Sequence, residues 1–209
     1  MIALIDYGMG NLGSIANMIR KMGGQSTIVQ TPDQLAACTK AILPGVGSFD
    51  TAMSNLSSSG LKDALHQFAL IENKPLLGIC LGMQVMCNGS EEGKLPGLGW
   101  IDAEVKKFNF EAIVPKNNAL KIPHMGWNVV LPTDCNWPLF KDWEAEMRFY
   151  FVHSYAVHCK NEAESKAKTT FGYAFDSAIG KNNIMGMQFH PEKSHRFGMK
   201  VYKNFIDLP

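Results

Sequence analysis

Gly78-Ile79-Cys80-Leu81-Gly82, directly after the apolar run Pro75-Leu76-Leu77, reads as a buried strand turning sharply into a helix, with a cysteine at the corner. A residue at such a corner takes strained backbone angles so that its side chain projects into a cleft, and only residues without bulk can flank it. Gly78 and Gly82 meet that need. A helix beginning near Leu81 points free N–H groups and its positive dipole end at the sulfur, which favours thiolate over thiol. It also leaves the Leu81 N–H available to an oxyanion. By itself the pentapeptide is equally compatible with a tight turn around a small buried hydrophobe, so partners elsewhere in the chain decide its chemistry.

Those partners stand near the C-terminus, where Met185-Gly186-Met187-Gln188-Phe189 leads into His190-Pro191-Glu192. Residues two apart on an extended segment face the same way, so Glu192 is placed to accept a hydrogen bond from one nitrogen of His190. That fixes the tautomer and leaves the other nitrogen for the Cys80 proton. Pro191 restricts the backbone between them. His66, His124, His158 and His195 lack a carboxylate at this spacing and receive no catalytic role.

Around these motifs, short apolar runs alternate with helical segments, the pattern of an α/β fold with a largely parallel central sheet. Residues 2–6, 26–30, 40–43 and 76–79 read as strands. Residues 11–22 and 50–72 carry helical spacing, the second segment broken at Ser57-Ser58-Ser59-Gly60. Thr31-Pro32-Asp33-Gln34 reads as a helix start, with Thr31 as cap and Gln34 reaching back. Ligands in such sheets bind beyond the carboxyl ends of the strands. Asp6, residues 44–48 and Cys80 fall at such ends, so three loops are expected to converge on one crevice. From 97 to 155 the chain becomes β-prone and aromatic, which predicts an antiparallel extension. Residues 129–138 read as loop, and 194–205 as a closing helix capped by Ser194.

A length of 209 residues and a mass of 23.1 kDa suit a single domain, 1–209, with a substantial core. The net charge of +1 provides no basic field for nucleic acid or an anionic membrane, which points to a small molecule or a protein as partner. Five cysteines without Cys-x-x-Cys spacing fit neither a disulfide framework nor a zinc site. No secretory signal or membrane span is legible, so a soluble, cytoplasmic protein is expected. Neither a phosphate-cradling motif nor a metal-ligand cluster stands out, and no cofactor is expected.

The motifs Pro44-Gly45-Val46-Gly47-Ser48-Phe49, Gly78-Ile79-Cys80-Leu81-Gly82-Met83-Gln84 and Gln188-Phe189-His190-Pro191-Glu192-Lys193-Ser194 occur in an order that resembles the class I, triad-type glutamine amidotransferases. Ile5-Asp6-Tyr7-Gly8-Met9-Gly10-Asn11, Pro123-His124-Met125-Gly126-Trp127-Asn128 and Tyr150-Phe151-Val152-His153-Ser154-Tyr155 resemble the glutaminase subunits of imidazole glycerol phosphate synthases. The resemblance covers essentially the whole chain. It implies a flavodoxin-like fold and hydrolysis of L-glutamine to glutamate and ammonia by Cys80, His190 and Glu192.

The resemblance further implies an oxyanion hole from the backbone of Gly45, Val46, Gly47 and Leu81. It places Gln84, Glu92, His153, Ser154 and Tyr155 around the substrate, with Gln84 contributing its side-chain amide and Glu92 anchoring the α-amino group. The pair Trp127 and Lys193 would face a (β/α)-barrel cyclase in a heterodimer that uses the ammonia in histidine biosynthesis. The same donor motifs would equally serve a paralogous subunit supplying another synthase, such as one aminating or amidinating a surface sugar. A cysteine hydrolase acting alone, or a catalytically idle binding subunit on the same fold, are the remaining readings.

Overall fold

The computed structural model describes residues 1–111 and 120–209. The first half runs β1 (Ile2–Ile5), α1 (Leu12–Lys21), β2 (Ser26–Val29), α2 (Pro32–Ala36), β3 (Lys40–Gly45), α3 (Phe49–Ser58), α4 (Leu61–His66), β4 (Leu76–Cys80) and α5 (Leu81–Gln84). The second runs β5 (Gly89–Ser90), β6 (Ala103–Lys107), β7 (His124–Val129), β8 (Leu131–Pro132), β9 (Arg148–His153), β10 (Tyr155–Cys159), β11 (Ser165–Phe171), β12 (Tyr173–Lys181), β13 (Ile184–Met187) and α6 (His195–Asp207).

The main sheet has the order β2-β1-β3-β4-β13-β12-β10-β6-β5. From β2 to β13 every pairing is parallel. The strands β1, β3, β4 and β13 are buried along their whole length, as continuous apolar runs in a two-sided parallel sheet must be. Beyond β13 the pairings of β12, β10 and β6 turn antiparallel. One apolar cluster fills each face of the sheet, the second rich in Phe149, Phe151, Phe175, Phe189 and Phe205. Among the described residues, no helix is long and apolar enough to cross a membrane.

The expected start of α2 forms, and α1 has a side-chain cap as well. Asn11 accepts from Ser14 N at the start of α1, and Thr31 with Gln34 closes a reciprocal capping box on α2. Gly60, at φ 73°, breaks the chain between α3 and α4 inside the predicted serine-rich interruption. The antiparallel extension is in two pieces: β6 and β10 join the main sheet, while β7 and β9 form a separate two-stranded ribbon. The part of that stretch at 112–119 lies outside the described residues. The segment 129–138 is not all loop, because Leu131 and Pro132 pair with Lys168 and Ala167 of β11.

Candidate active site

Cys80 closes β4 at φ 54° and ψ −111°, a conformation that side chains rarely adopt and that throws the sulfur beyond the end of the sheet. The flanking glycines are dictated by backbone, since a Cβ at Gly82 would lie 1.8 Å from Leu43 O and one at Gly78 would lie 2.6 Å from Gly82 O. The helix expected after the corner is a single turn. Its continuation would need the carbonyls of Val85, Met86 and Cys87, which instead accept from Leu98, Trp100 and Gly99 at 2.8, 2.9 and 3.1 Å. The dipole behind Cys80 is correspondingly short, but the first N–H of the turn, on Leu81, is still one that a helix start leaves without an intrahelical acceptor.

His190 follows β13, three residues beyond Met187, where β13 runs parallel to the end of β4. Its Nδ1 lies 2.7 Å from Glu192 Oε1, and both side chains are almost fully buried. The pairing is the expected one, but its geometry is not that of an extended strand: Pro191–Lys193 is a 3-10 turn, and Glu192 folds back over it. Ser194, expected as a helix cap, holds this corner together instead. Its hydroxyl donates to His190 O at 2.6 Å and accepts from Tyr150 N at 3.0 Å, while His190 N donates to Tyr150 O at 2.9 Å. His190 is thereby fastened to β9 through its own main chain.

His190 Nε2 is buried and makes no hydrogen bond of regular geometry. Burial opposes a charged imidazole, yet Cys80 and Glu192 beside it outweigh burial and raise the pKa to about 10. A histidine raised above the ~6.5 of an unfolded chain stabilises the fold fully below pH ~6.5, and that contribution is lost as pH climbs through the folded value. Unfolding free energy measured in urea is therefore expected to decline from pH ~6.5 toward ~10, and Glu192→Gln to flatten the decline. An unchanged slope in that variant would remove Glu192 from the pair.

Cys80, Leu81, Gln84, Glu92, Val46, Gly47, His153, Ser154, Tyr155 and His190 line one open cleft of about 310 Å³, together with Pro123 and Val152. Gly45 is buried immediately behind it, where an added Cβ would meet Leu81 Cβ and the Tyr7 hydroxyl at 2.8 Å each. Asp6, in contrast, turns away: it accepts from Gly8 N and Gln30 Nε2 and closes its own loop. Its neighbour Tyr7 is the residue of that loop that reaches the site, donating from its hydroxyl to Pro44 O at 2.6 Å.

Two of the expected substrate contacts have their side-chain donors engaged within the protein. Gln84 Nε2 donates to Tyr155 O at 3.2 Å and to Gln188 Oε1 at 2.9 Å, leaving only its carbonyl oxygen for a ligand. Both His153 ring nitrogens are taken, Nδ1 by Tyr155 O at 2.7 Å and Nε2 by His124 Nδ1 at 2.9 Å, so the His153 ring has no donor left for a substrate. Glu92 accepts from Phe49 N, the start of α3, at 3.0 Å and keeps its other oxygen for the cleft. Gln188 is fully buried and donates to Cys80 Sγ at 3.7 Å. Its place two residues before His190, on the same side of the chain, was the available signal for it.

Trp127 is half exposed and stacks on His195 with ring planes 2° apart, while Lys193 Nζ sits 5.7 Å above the Tyr150 ring. Tyr150 also meets Trp127 edge-on, so these residues share one outer patch next to the cleft. Exposed Met125, on the same face of β7 as Trp127, adds an apolar rim, as do Val46, which lines the cleft, and Ile122, next to the cleft residue Pro123.

Fold and site together define an α/β protein with a cysteine, a histidine and a carboxylate gathered at the carboxyl edge of a parallel sheet. The chain belongs to the class-I glutamine amidotransferase family, which matches residues 3–208. It is similar over its full length to the imidazole glycerol phosphate synthase subunit HisH 2 of Methanococcus maripaludis, at 52% identity covering 99% of this chain and 98% of that one. Similarity to the HisH subunit of Bdellovibrio bacteriovorus is 44% over the whole of both chains. Among solved structures, PurLQS from Thermotoga maritima shares the fold at TM-score 0.74 and 14% identity, covering 99% of this chain and 97% of that one. The glutaminase domain of CTPS from Trypanosoma brucei does so at TM-score 0.66 and 18% identity, covering 98% and 91%.

Proposed function

We propose that this chain is the glutaminase subunit of an imidazole glycerol phosphate synthase, releasing ammonia from L-glutamine for a cyclase partner in histidine biosynthesis. The observation that carries the reading is the convergence of Cys80, His190 and the 2.7 Å His190–Glu192 pair on one cleft, in a chain with full-length relatives of that name. Amides resist water because nitrogen donates into the carbonyl and leaves poorly unless protonated. Cys80 thiolate attacks the side-chain carbonyl carbon of glutamine, and the N–H of Leu81 with those of the Gly45-Val46-Gly47 loop receives the oxyanion, each donor contributing about 3 to 4 kcal/mol. His190 protonates the departing nitrogen, then takes a proton from the water that cleaves the glutamyl thioester. Glu192 keeps the imidazole oriented throughout and stabilises its charged form.

Ammonia released into water becomes ammonium and loses its nucleophilicity, so a synthetic role needs a partner seated over the exit. The exposed rim of Met125, Trp127, Ile122 and Val46 supports a protein partner there, with Trp127 and Lys193 as its contacts. Glutamate release is therefore measured from this chain alone, then with a (β/α)-barrel cyclase of the same genome and its nucleotide ligand. Stimulation by the pair is expected. The numbered name HisH 2, carried by the Methanococcus and Pseudomonas aeruginosa relatives, favours a second reading in which a paralogous subunit feeds another synthase. Glutaminase activity that this cyclase does not stimulate would select that reading, and inactivity with every partner would leave only a binding subunit.

Tyr7 fixes the loop that presents the oxyanion donors, so Tyr7→Phe is expected to lower kcat about tenfold with little change in KM. The lost bond to Pro44 O costs about 1 kcal/mol of stability. Steady-state kinetics separate the two, and an unaltered kcat would remove Tyr7 from the site.

A further inference from the structure

A single hydrogen-bonded chain runs from the outer ribbon to the nucleophile, and its donor and acceptor directions are forced. The Tyr155 carbonyl can only accept. His153 Nδ1, 2.7 Å away, must then carry a hydrogen, which in a neutral ring makes Nε2 an acceptor. His124 Nδ1 donates to it at 2.9 Å, so His124 Nε2 accepts in turn, from Asn128 Nδ2 at 3.2 Å. Asn128 cannot flip, because the same Nδ2 donates to Thr170 O at 2.9 Å and its Oδ1 accepts from Val129 N at 2.8 Å.

On the other side of Tyr155 O, the same logic orients two amides. Gln84 must present Nε2 to that carbonyl, which aims the other Nε2 hydrogen at Gln188 Oε1, and Gln188 is left with its N–H toward Cys80 Sγ. Reversing Gln84 would set two carbonyl oxygens against each other, and reversing Gln188 would set its Nε2 against that of Gln84, two donors with no acceptor between them. Both histidines are neutral as this requires: burial lowers His153 to about 3 and His124 to about 4. His124 is also sandwiched between Phe171 and Phe151, at 4.2 and 4.7 Å between ring centroids.

We propose that His153, braced by His124, is a positioning residue that holds the Tyr155 carbonyl in place, and that this acceptor orients the Gln84–Gln188 amide chain so that Cys80 meets an N–H donor and not a carbonyl oxygen. The inference rests on Cys80 being the nucleophile. It assigns His153 a part other than contact with substrate, and it assigns one to His124 and Gln188, for which the sequence suggested none. A donor aimed at the sulfur stabilises the anion that attacks and disfavours the neutral thiol.

The test is the rate at which iodoacetamide alkylates Cys80 at neutral pH, followed on its own peptide by mass spectrometry so that exposed Cys135 does not contribute. His153→Leu and Gln188→Met are expected to slow it about tenfold, the worth of one hydrogen bond to a charged group. His153→Asn, whose Nδ2 can replace the donor to Tyr155 O, is expected to stay within about twofold of the parent chain. In the unmodified protein, long-range nitrogen–proton spectra of labelled histidine should show both rings as neutral Nδ1–H tautomers. A folded His153→Leu or Gln188→Met chain alkylating at the parent rate would overturn the proposal, as would an Nε2–H tautomer at His153. Should His153→Leu not fold, Gln188→Met and the tautomers decide alone. Alkylation needs no glutamine, so a reactive Cys80 in a chain that releases no glutamate with any partner would sink the proposed function and leave this inference standing.

Discussion

Cys80→Ala is expected to lower glutamate release by on the order of 10⁴-fold or more while the chain still folds. No other described group that could attack an amide carbon reaches the position of the sulfur: the elbow presents a single side chain past the end of β4, and Tyr7 beside it is buried, bonded to Pro44 O and pushed to a higher pKa by burial and by Cys80. Alanine fits the corner sterically, because the flanking glycines and not the sulfur make room for the turn. At φ 54° it keeps the backbone strain, so Cys80→Gly should be the more stable of the two by about 1 kcal/mol or somewhat more. Glutaminase assays and urea unfolding of both variants check the pair. Wild-type glutamate release by either would remove Cys80 from the chemistry.

Gly82→Ala carries the largest expected loss of stability, about 4 kcal/mol or more, enough to abolish soluble folded protein. An added Cβ there would stand 1.8 Å from Leu43 O and 2.8 Å from Leu43 C, and β3 cannot retreat without breaking its pairing to β4 or β1. Gly89→Ala is the control, since nothing lies within 4 Å of its Cβ position. Soluble yield and urea midpoint read the difference. A Gly82→Ala chain as stable as the control would mean that the elbow and β3 are not packed as described.

Several features were legible because they depend on few neighbouring residues. Thr31 and Gln34 close their capping box within one turn, and Gly60 takes a positive φ where the serine-rich break predicts an interruption. The Cys80 corner and the His190–Glu192 pair likewise follow from residues within five positions of one another. Where the reading failed, a distant segment intervened. Trp100 and its neighbours take the carbonyls that would have lengthened α5, and Tyr150 draws Ser194 away from capping α6. Gln30 draws Asp6 out of the crevice, and Gln188 and Tyr155 occupy the Gln84 amide. The pairing of His190 with Glu192 was right for a different reason than strand alternation, because a 3-10 turn brings the carboxylate back.

By itself, then, the sequence determined the α/β class, the elbow with its two obligatory glycines, the histidine that faces it and the family to which the chain belongs. Those depend on backbone sterics and on spacings of a few residues, which survive without knowledge of the neighbours. Only the tertiary structure decided which polar groups remain free to meet a substrate. A buried donor must be satisfied by whatever acceptor the fold brings to it, and the acceptors for Gln84 and His124 come from segments far away in the chain.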